Sequence, residues 1–146
     1  MTTLVGITGG IGSGKSTLTK ELLKTGFKVH DSDKVVKNLY NKPTKTFLKH
    51  LEKIGLSKTL QKKRINKKLI SKIIFSDKKI KKDLEEYIFS EVKKDRKKFI
   101  EKEKKTRKKI IFFDIPLLFE NNLDSMFDKI ISVVSTKKNR YLRLKK

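Results

Sequence analysis

The chain has 146 residues, with 39 Lys or Arg against 16 Asp or Glu, and a formal net charge of +23. This length suits one compact domain with a single core. The absence of cysteine excludes disulfides, thiolate metal sites and a cysteine nucleophile. No run reaches the roughly 18–20 apolar residues of a membrane span and no basic leader precedes the first apolar segment, so a soluble, cytoplasmic chain with no membrane partner is expected.

The positive charge invites a nucleic-acid reading, because clustered cations neutralise backbone phosphates. Yet 34 of the basic residues are Lys and five are Arg, whereas base reading and bidentate phosphate contacts favour the planar Arg fork. The sequence also lacks alanine and is rich in Lys, Ile, Asn and Phe, the signature of an AT-rich coding bias. Lysine then serves as solvated surface, and no specific nucleic-acid partner is expected, although the charge still steers anionic ligands inward. His30 and His50 offer no metal cluster.

Residues 3–8 form a short apolar run that ends in glycines, as a buried parallel strand does. A helix is predicted from Lys15 to about Thr25, with Leu18, Leu22 and Leu23 inward and Gly26 as its stop. The segment from Phe27 to His30 predicts a second strand. Asp31-Ser32-Asp33 then opens a helix that runs to about Asn41, before Pro43 interrupts. Phe47, Leu48, Leu51 and Ile54 mark another helix, which ends at Gly55. Asn66 is a candidate N-cap for a helix carrying Leu69, Ile70, Ile73 and Ile74.

From Asp77 to about Lys105 the spacing of Ile80, Leu84, Tyr87, Ile88, Val92, Phe99 and Ile100 predicts one long amphipathic helix. Ile110 to Phe113 and Ile130 to Val134 are the third and fourth strands of the sheet, and Lys137 to Lys146 a last helix. Strands that alternate with helices imply an α/β fold whose parallel sheet is covered on both faces. The block 43–105 shows no strand signal, and a helical insertion beside the sheet, able to enclose a substrate, is expected there.

Gly9-Gly10-Ile11-Gly12-Ser13-Gly14-Lys15-Ser16 matches G-x-x-x-x-G-K-[ST] between a predicted strand and a predicted helix, the context a P-loop requires. Its backbone N–H groups and the helix N-terminus converge on phosphate oxygens. Lys15 is placed to reach the β- and γ-phosphates of ATP, and the Ser16 hydroxyl to ligate Mg²⁺. A dinucleotide-binding loop is excluded, since the glycines do not follow G-x-G-x-x-G and a lysine holds the helix start.

Asp31 and Asp33 lie just past the second strand, where open α/β sheets bind ligands. Two roles remain open for them: catalysis as general base or Mg²⁺ holder, and capping of the next helix. Asp33 is the better placed for the base, because Asp31 is also placed to cap. Asp114, at the end of the Ile110–Phe113 run, has the position of a Walker-B carboxylate near the metal. The stretch Ile115 to Glu120 is too apolar for an exposed loop, and either packs as core under the insertion or lines a substrate pocket.

Taken together, Gly6 to Thr17, Val29-His30-Asp31-Ser32-Asp33 and Asp114-Ile115-Pro116-Leu117-Leu118-Phe119-Glu120 resemble the dephospho-CoA kinase family. Ile65-Asn66-Lys67 to Phe75-Ser76-Asp77 is similar to the family's L-D-R…V-F-x-D segment, and Leu84-Glu85 to its L-E helix. The resemblance implies a P-loop three-layer kinase fold with a helical substrate-binding insertion and a mobile lid. It implies ATP-dependent phosphorylation of the 3′-hydroxyl of dephospho-CoA with Mg²⁺. Asp33 falls on the family's proposed base, Lys15 is the second catalytic residue, and Gly9 to Thr17 bind ATP. Asp31, Asp33, Pro116, Leu117, Leu118 and Glu120 are the expected substrate contacts, and Arg140 and Arg143 the start of the lid.

Two departures stand out. Phe89-Ser90 replaces the family's His-Pro, and the family pattern runs on well beyond Lys146 into the rest of the lid and a last strand, as if this were a truncated chain. Three rivals carry distinct expectations: a related nucleoside or nucleotide kinase with another acceptor, a basic P-loop protein that binds nucleic acid, and a fragment that binds nucleotide without catalysis.

Overall fold

The computed structural model describes residues 1–62 and 64–145. They form two compact units: one made of 1–33 with 96–145, and one made of 34–95. Among the described residues no helix is long and apolar enough to cross a membrane.

In the first unit, β1 (Thr3–Gly9), β2 (Lys28–Asp31), β5 (Ile110–Asp114) and β6 (Lys129–Val133) form one parallel sheet in the order β2-β5-β1-β6. The continuous apolar runs of β1 and β5 suit its two central positions, where both faces are buried. Side chains alternate along β5. Phe112 joins Val5 and Ile7 in a cluster with Leu18 and Leu22 of α1 (Lys15–Lys24). Ile111 and Phe113 join Ile115, Leu118 and Leu123 in a second cluster, packed against Phe99 and Ile100. The sheet therefore has helices on both faces, which is the three-layer arrangement expected.

Parallel pairing brings every strand's carboxyl end to the same pole. Asp31 stands opposite Asp114 in the β2–β5 register, and Ile7 opposite Asp114 in the β1–β5 register. The second strand begins one residue later than expected, at Lys28. Phe27 instead stays outside the ladder with its ring edge-on to Phe112 at 5.3 Å. The last sheet strand is shifted the other way, one residue earlier than expected, and α6 (Lys137–Leu144) follows it, with Thr136 Oγ1 accepting from Asn139 N at 3.2 Å as N-cap. Lys146, the last residue expected in that helix, lies outside the described residues.

In the second unit, α2 (Ser32–Asn41) begins at the boundary, and α3 (Lys45–Lys53), α4 (Lys67–Ser76) and the first part of α5 (Lys78–Lys105), with Leu56 from the turn after α3, supply a separate core of Phe47, Leu51, Leu56, Ile70 and Leu84. Thr44, Asn66 and Asp77 cap the starts of α3, α4 and α5 with side-chain oxygens. The helical segment thus begins earlier and ends earlier than the 43–105 expected, because Leu39 and Tyr40 pack into this core while Phe99 and Ile100 pack on the sheet. Nor is it free of strand: β3 (Leu60–Gln61) and β4 (Arg64–Ile65) pair antiparallel. Two-residue strands are too short to leave a periodic signal.

Candidate functional site

At the carboxyl pole of the sheet, β1 runs into the loop 10–14 and then into α1. Gly14 is the helix N-cap at φ +105, and Gly12 lies at φ +73, left-handed conformations that favour glycine. In the first turn of α1, Thr17 N and Leu18 N donate to Gly14 O at 3.0 and 3.1 Å, and the N–H groups ahead of them stand at the positive end of the helix dipole. They open on a cavity of about 550 Å³ lined by residues 9–16 together with Asp33, Pro116 and Arg143. Ser13 Oγ, on this lining, is buried without a hydrogen-bond partner. A loop of this form, with an unsatisfied hydroxyl and a lysine, fits a phosphate chain.

Lys15 forms an ion pair with Asp114 Oδ1. The other oxygen, Oδ2, accepts a hydrogen bond from Thr19 Oγ1 at 2.8 Å, and both Thr19 and Asp114 are buried. Sequence reading missed Thr19. The one available signal was its place four residues after Lys15, one turn along the same helix face.

Asp33 lines the cavity from the start of α2. Its carboxyl pKa is raised from the ordinary 3.8, chiefly because partial burial strips water from the charge. Lys15 pulls the other way, while Asp31 and Asp114 add to the rise. The side chain keeps much of its exposure, so solvent screens these terms.

The cavity gathers all of the P-loop positions expected from sequence except Thr17, which is exposed and outside the lining. Arg143 donates from Nη1 to Gly12 O at 2.9 Å and to Ser135 Oγ at 3.4 Å. Arg140 lies close by, since a Cβ built on Gly10 would stand 3.2 Å from its Nη1. The stretch after β5 divides in a way the sequence left open. Pro116 lines the cavity, whereas Leu117, at φ +54, and Glu120 are exposed and outside the lining. Leu118, expected as a substrate contact, is corrected to a core residue: it is fully buried with Ile111, Phe113, Ile115 and Leu123.

Among the described residues no group of three or more His, Cys, Asp or Glu is placed to hold a metal ion. A protein cage for a cation is therefore absent from that set. One carboxylate and one hydroxyl, Asp114 and Ser16, beside a phosphate site match the way Mg²⁺ is usually held, with phosphates and water completing the shell.

A model of the dephospho-CoA kinase family matches residues 3–146. The dephospho-CoA kinase of Fusobacterium nucleatum is 41% identical over 133 residues, covering 90% of this chain and 66% of its own length. That of Listeria innocua is 32% identical over 144 residues, covering 96% and 70%. The chain thus spans about two thirds of the length of these curated relatives. The crystal structure of TT1252 from Thermus thermophilus superposes with a TM-score of 0.77 at 28% identity, over 98% of this chain and 71% of that one. The dephospho-CoA kinase from Campylobacter jejuni shares the fold, with a TM-score of 0.69 at 21% identity over 99% and 95%. With the family match running through the P-loop, Asp33 and Asp114, this chain belongs to the dephospho-CoA kinase family, transferases that use ATP as phosphate donor.

Proposed function

We propose that the protein transfers the γ-phosphoryl group of ATP to the 3′-hydroxyl of dephospho-CoA, giving coenzyme A and ADP. The observation that carries this reading is the meeting of Asp33 with the P-loop in one cavity, which puts a carboxylate beside the expected phosphate chain. The hydroxyl oxygen attacks Pγ, the bond from Pγ to the bridging oxygen of the β-phosphate breaks, and ADP leaves with that electron pair. The hydroxyl proton passes to the Asp33 carboxylate.

The loop amides and Lys15 hold the β- and γ-phosphates, and Arg140 and Arg143, close to the loop, are assigned to charge that develops on the transferring group. Ser16 and Asp114 are assigned to Mg²⁺, which when bound neutralises phosphate charge. Asp31, opposite Asp114 at the strand end, and Pro116, on the cavity lining, are assigned to acceptor binding. A chain without cysteine that acts on dissolved nucleotides accords with a cytoplasmic location.

An ADP-release assay with ATP, Mg²⁺ and dephospho-CoA tests the reading, with other nucleoside and nucleotide acceptors alongside. The expected outcome is release that depends on dephospho-CoA and falls about 10²–10⁴-fold in Asp33→Asn. ATP binding without any dephospho-CoA-dependent release would sink it, and turnover on a different acceptor would move the assignment to a related kinase.

A further inference from the structure

Both oxygens of Asp114 are occupied, and by partners of different kinds. Lys15, at Oδ1, lines the cavity, so its ammonium has a second destination in the phosphates of a bound nucleotide. Thr19, at Oδ2, is 7% exposed and lies outside the lining. A threonine within a helix ordinarily turns its hydroxyl to a carbonyl three or four residues back. Thr25, just past the end of the same helix, does this, donating to Glu21 O and Leu22 O at 3.0 Å. Thr19 instead reaches across 95 residues of sequence to the end of β5.

We infer that Thr19 is a positioning residue for Asp114. Its hydrogen bond keeps Oδ1 on the side where Lys15 now sits when Lys15 transfers to the nucleotide, which leaves that oxygen to Mg²⁺. The inference rests on the assignment of Asp114 to the metal. It explains why a polar side chain is buried at this point of α1.

The test is the gain in ATP affinity on adding Mg²⁺, measured as the ratio of dissociation constants in EDTA and in saturating Mg²⁺ by equilibrium dialysis. Thr19→Val, which preserves shape, should cut this gain by about tenfold, the usual order for losing a hydrogen bond to a charged group. Thr19→Ser should restore it, and Thr19→Val should change nothing further in an Asp114→Asn background. A wild-type gain in Thr19→Val overturns the inference, as does a loss of equal size in the Asp114→Asn background, which marks a packing effect. If Asp114→Asn itself keeps the full gain, the metal assignment of Asp114 fails and the role of Thr19 with it. If Asp114→Asn loses the gain and Thr19→Val keeps it, the role of Thr19 alone fails.

Discussion

The two units are built from different materials. The helical unit 34–95 has a core of Phe47, Leu51, Leu56, Ile70 and Leu84, and the buried polar residue recorded there is Thr59, whose hydroxyl donates to Leu56 O at 2.6 Å. The sheet unit buries Thr8, Ser13, Thr19, His30, Ser32, Arg96, Glu103 and Asp114 among its apolar residues. Burying polar groups costs free energy unless they are satisfied. Of these, Ser13, Thr19 and Asp114 lie at or beside the P-loop cavity, where a bound ligand would offset the cost. The helical unit rests chiefly on apolar packing, with side-chain caps at Thr44, Asn66 and Asp77, so the two should respond to mutation in opposite ways.

The largest effect is expected from the apolar unit. Phe47 is fully buried, edge-on to Tyr40 at 5.5 Å and stacked with Tyr87 at 5.3 Å. Phe47→Ala should lower the unfolding free energy by about 3–5 kcal/mol, from lost transfer energy plus the cavity left behind. Urea unfolding checks this, and a loss under about 1 kcal/mol would mean that the helical core is looser than its contacts indicate.

A smaller effect of opposite sign is expected in the sheet unit. Arg96 is 3% exposed, its Nη1 donates to Met126 Sδ at 3.5 Å, and its Nε has no hydrogen-bond partner. Burial lowers its pKa from the ordinary arginine value, so the folded state holds this charge at a cost. Arg96→Met keeps the apolar stem and removes the charge. Unfolding free energy should rise by about 1 kcal/mol. A clear loss of stability would show that the guanidinium is satisfied in solution and that the contrast between the units is overdrawn.

The same contrast governs what was legible in the sequence. Repeated apolar spacing announced α3, α4 and α5, and the side-chain cap at Asn66 sits where the helix-start signal predicts it, whereas the cap at Thr44 was not singled out. The P-loop was legible because its function requires consecutive residues. Thr19 was not, since its partner lies on another element and its place one turn after Lys15 does not by itself reveal that partner. Leu117 and Leu118 are adjacent and chemically alike, yet one is exposed at φ +54 and the other fully buried. No periodicity separates such neighbours, because a single left-handed residue reverses the chain's facing. Phe27 failed for a related reason: strand propensity cannot tell a ring in the ladder from a ring packed beside it on Phe112.

The finest distinction between the units is electrostatic and concerns Asp33, the last residue of the sheet unit before the boundary. Its pKa is raised above 3.8 by desolvation first, opposed by Lys15 and reinforced by Asp31 and Asp114. The sign follows from which form folding favours. A carboxyl with a raised folded pKa contributes its stability below the unfolded value, and that contribution is lost as pH rises through the folded value. Solvent exposure keeps the contribution small. In the proposed reaction, with Asp33 as base, the rise brings it toward working pH, so its acid limb should lie above that of an ordinary aspartate. Carboxyl-carbon NMR of Asp33 reads this directly and without turnover. The midpoint should lie above 3.8, move down in Asp31→Asn and Asp114→Asn as each like charge is removed, and move up in Lys15→Met. A midpoint at or below 3.8 would mean that Lys15 outweighs burial. Asp33 would then be a carboxylate held ionised by Lys15, matched to binding rather than to proton transfer.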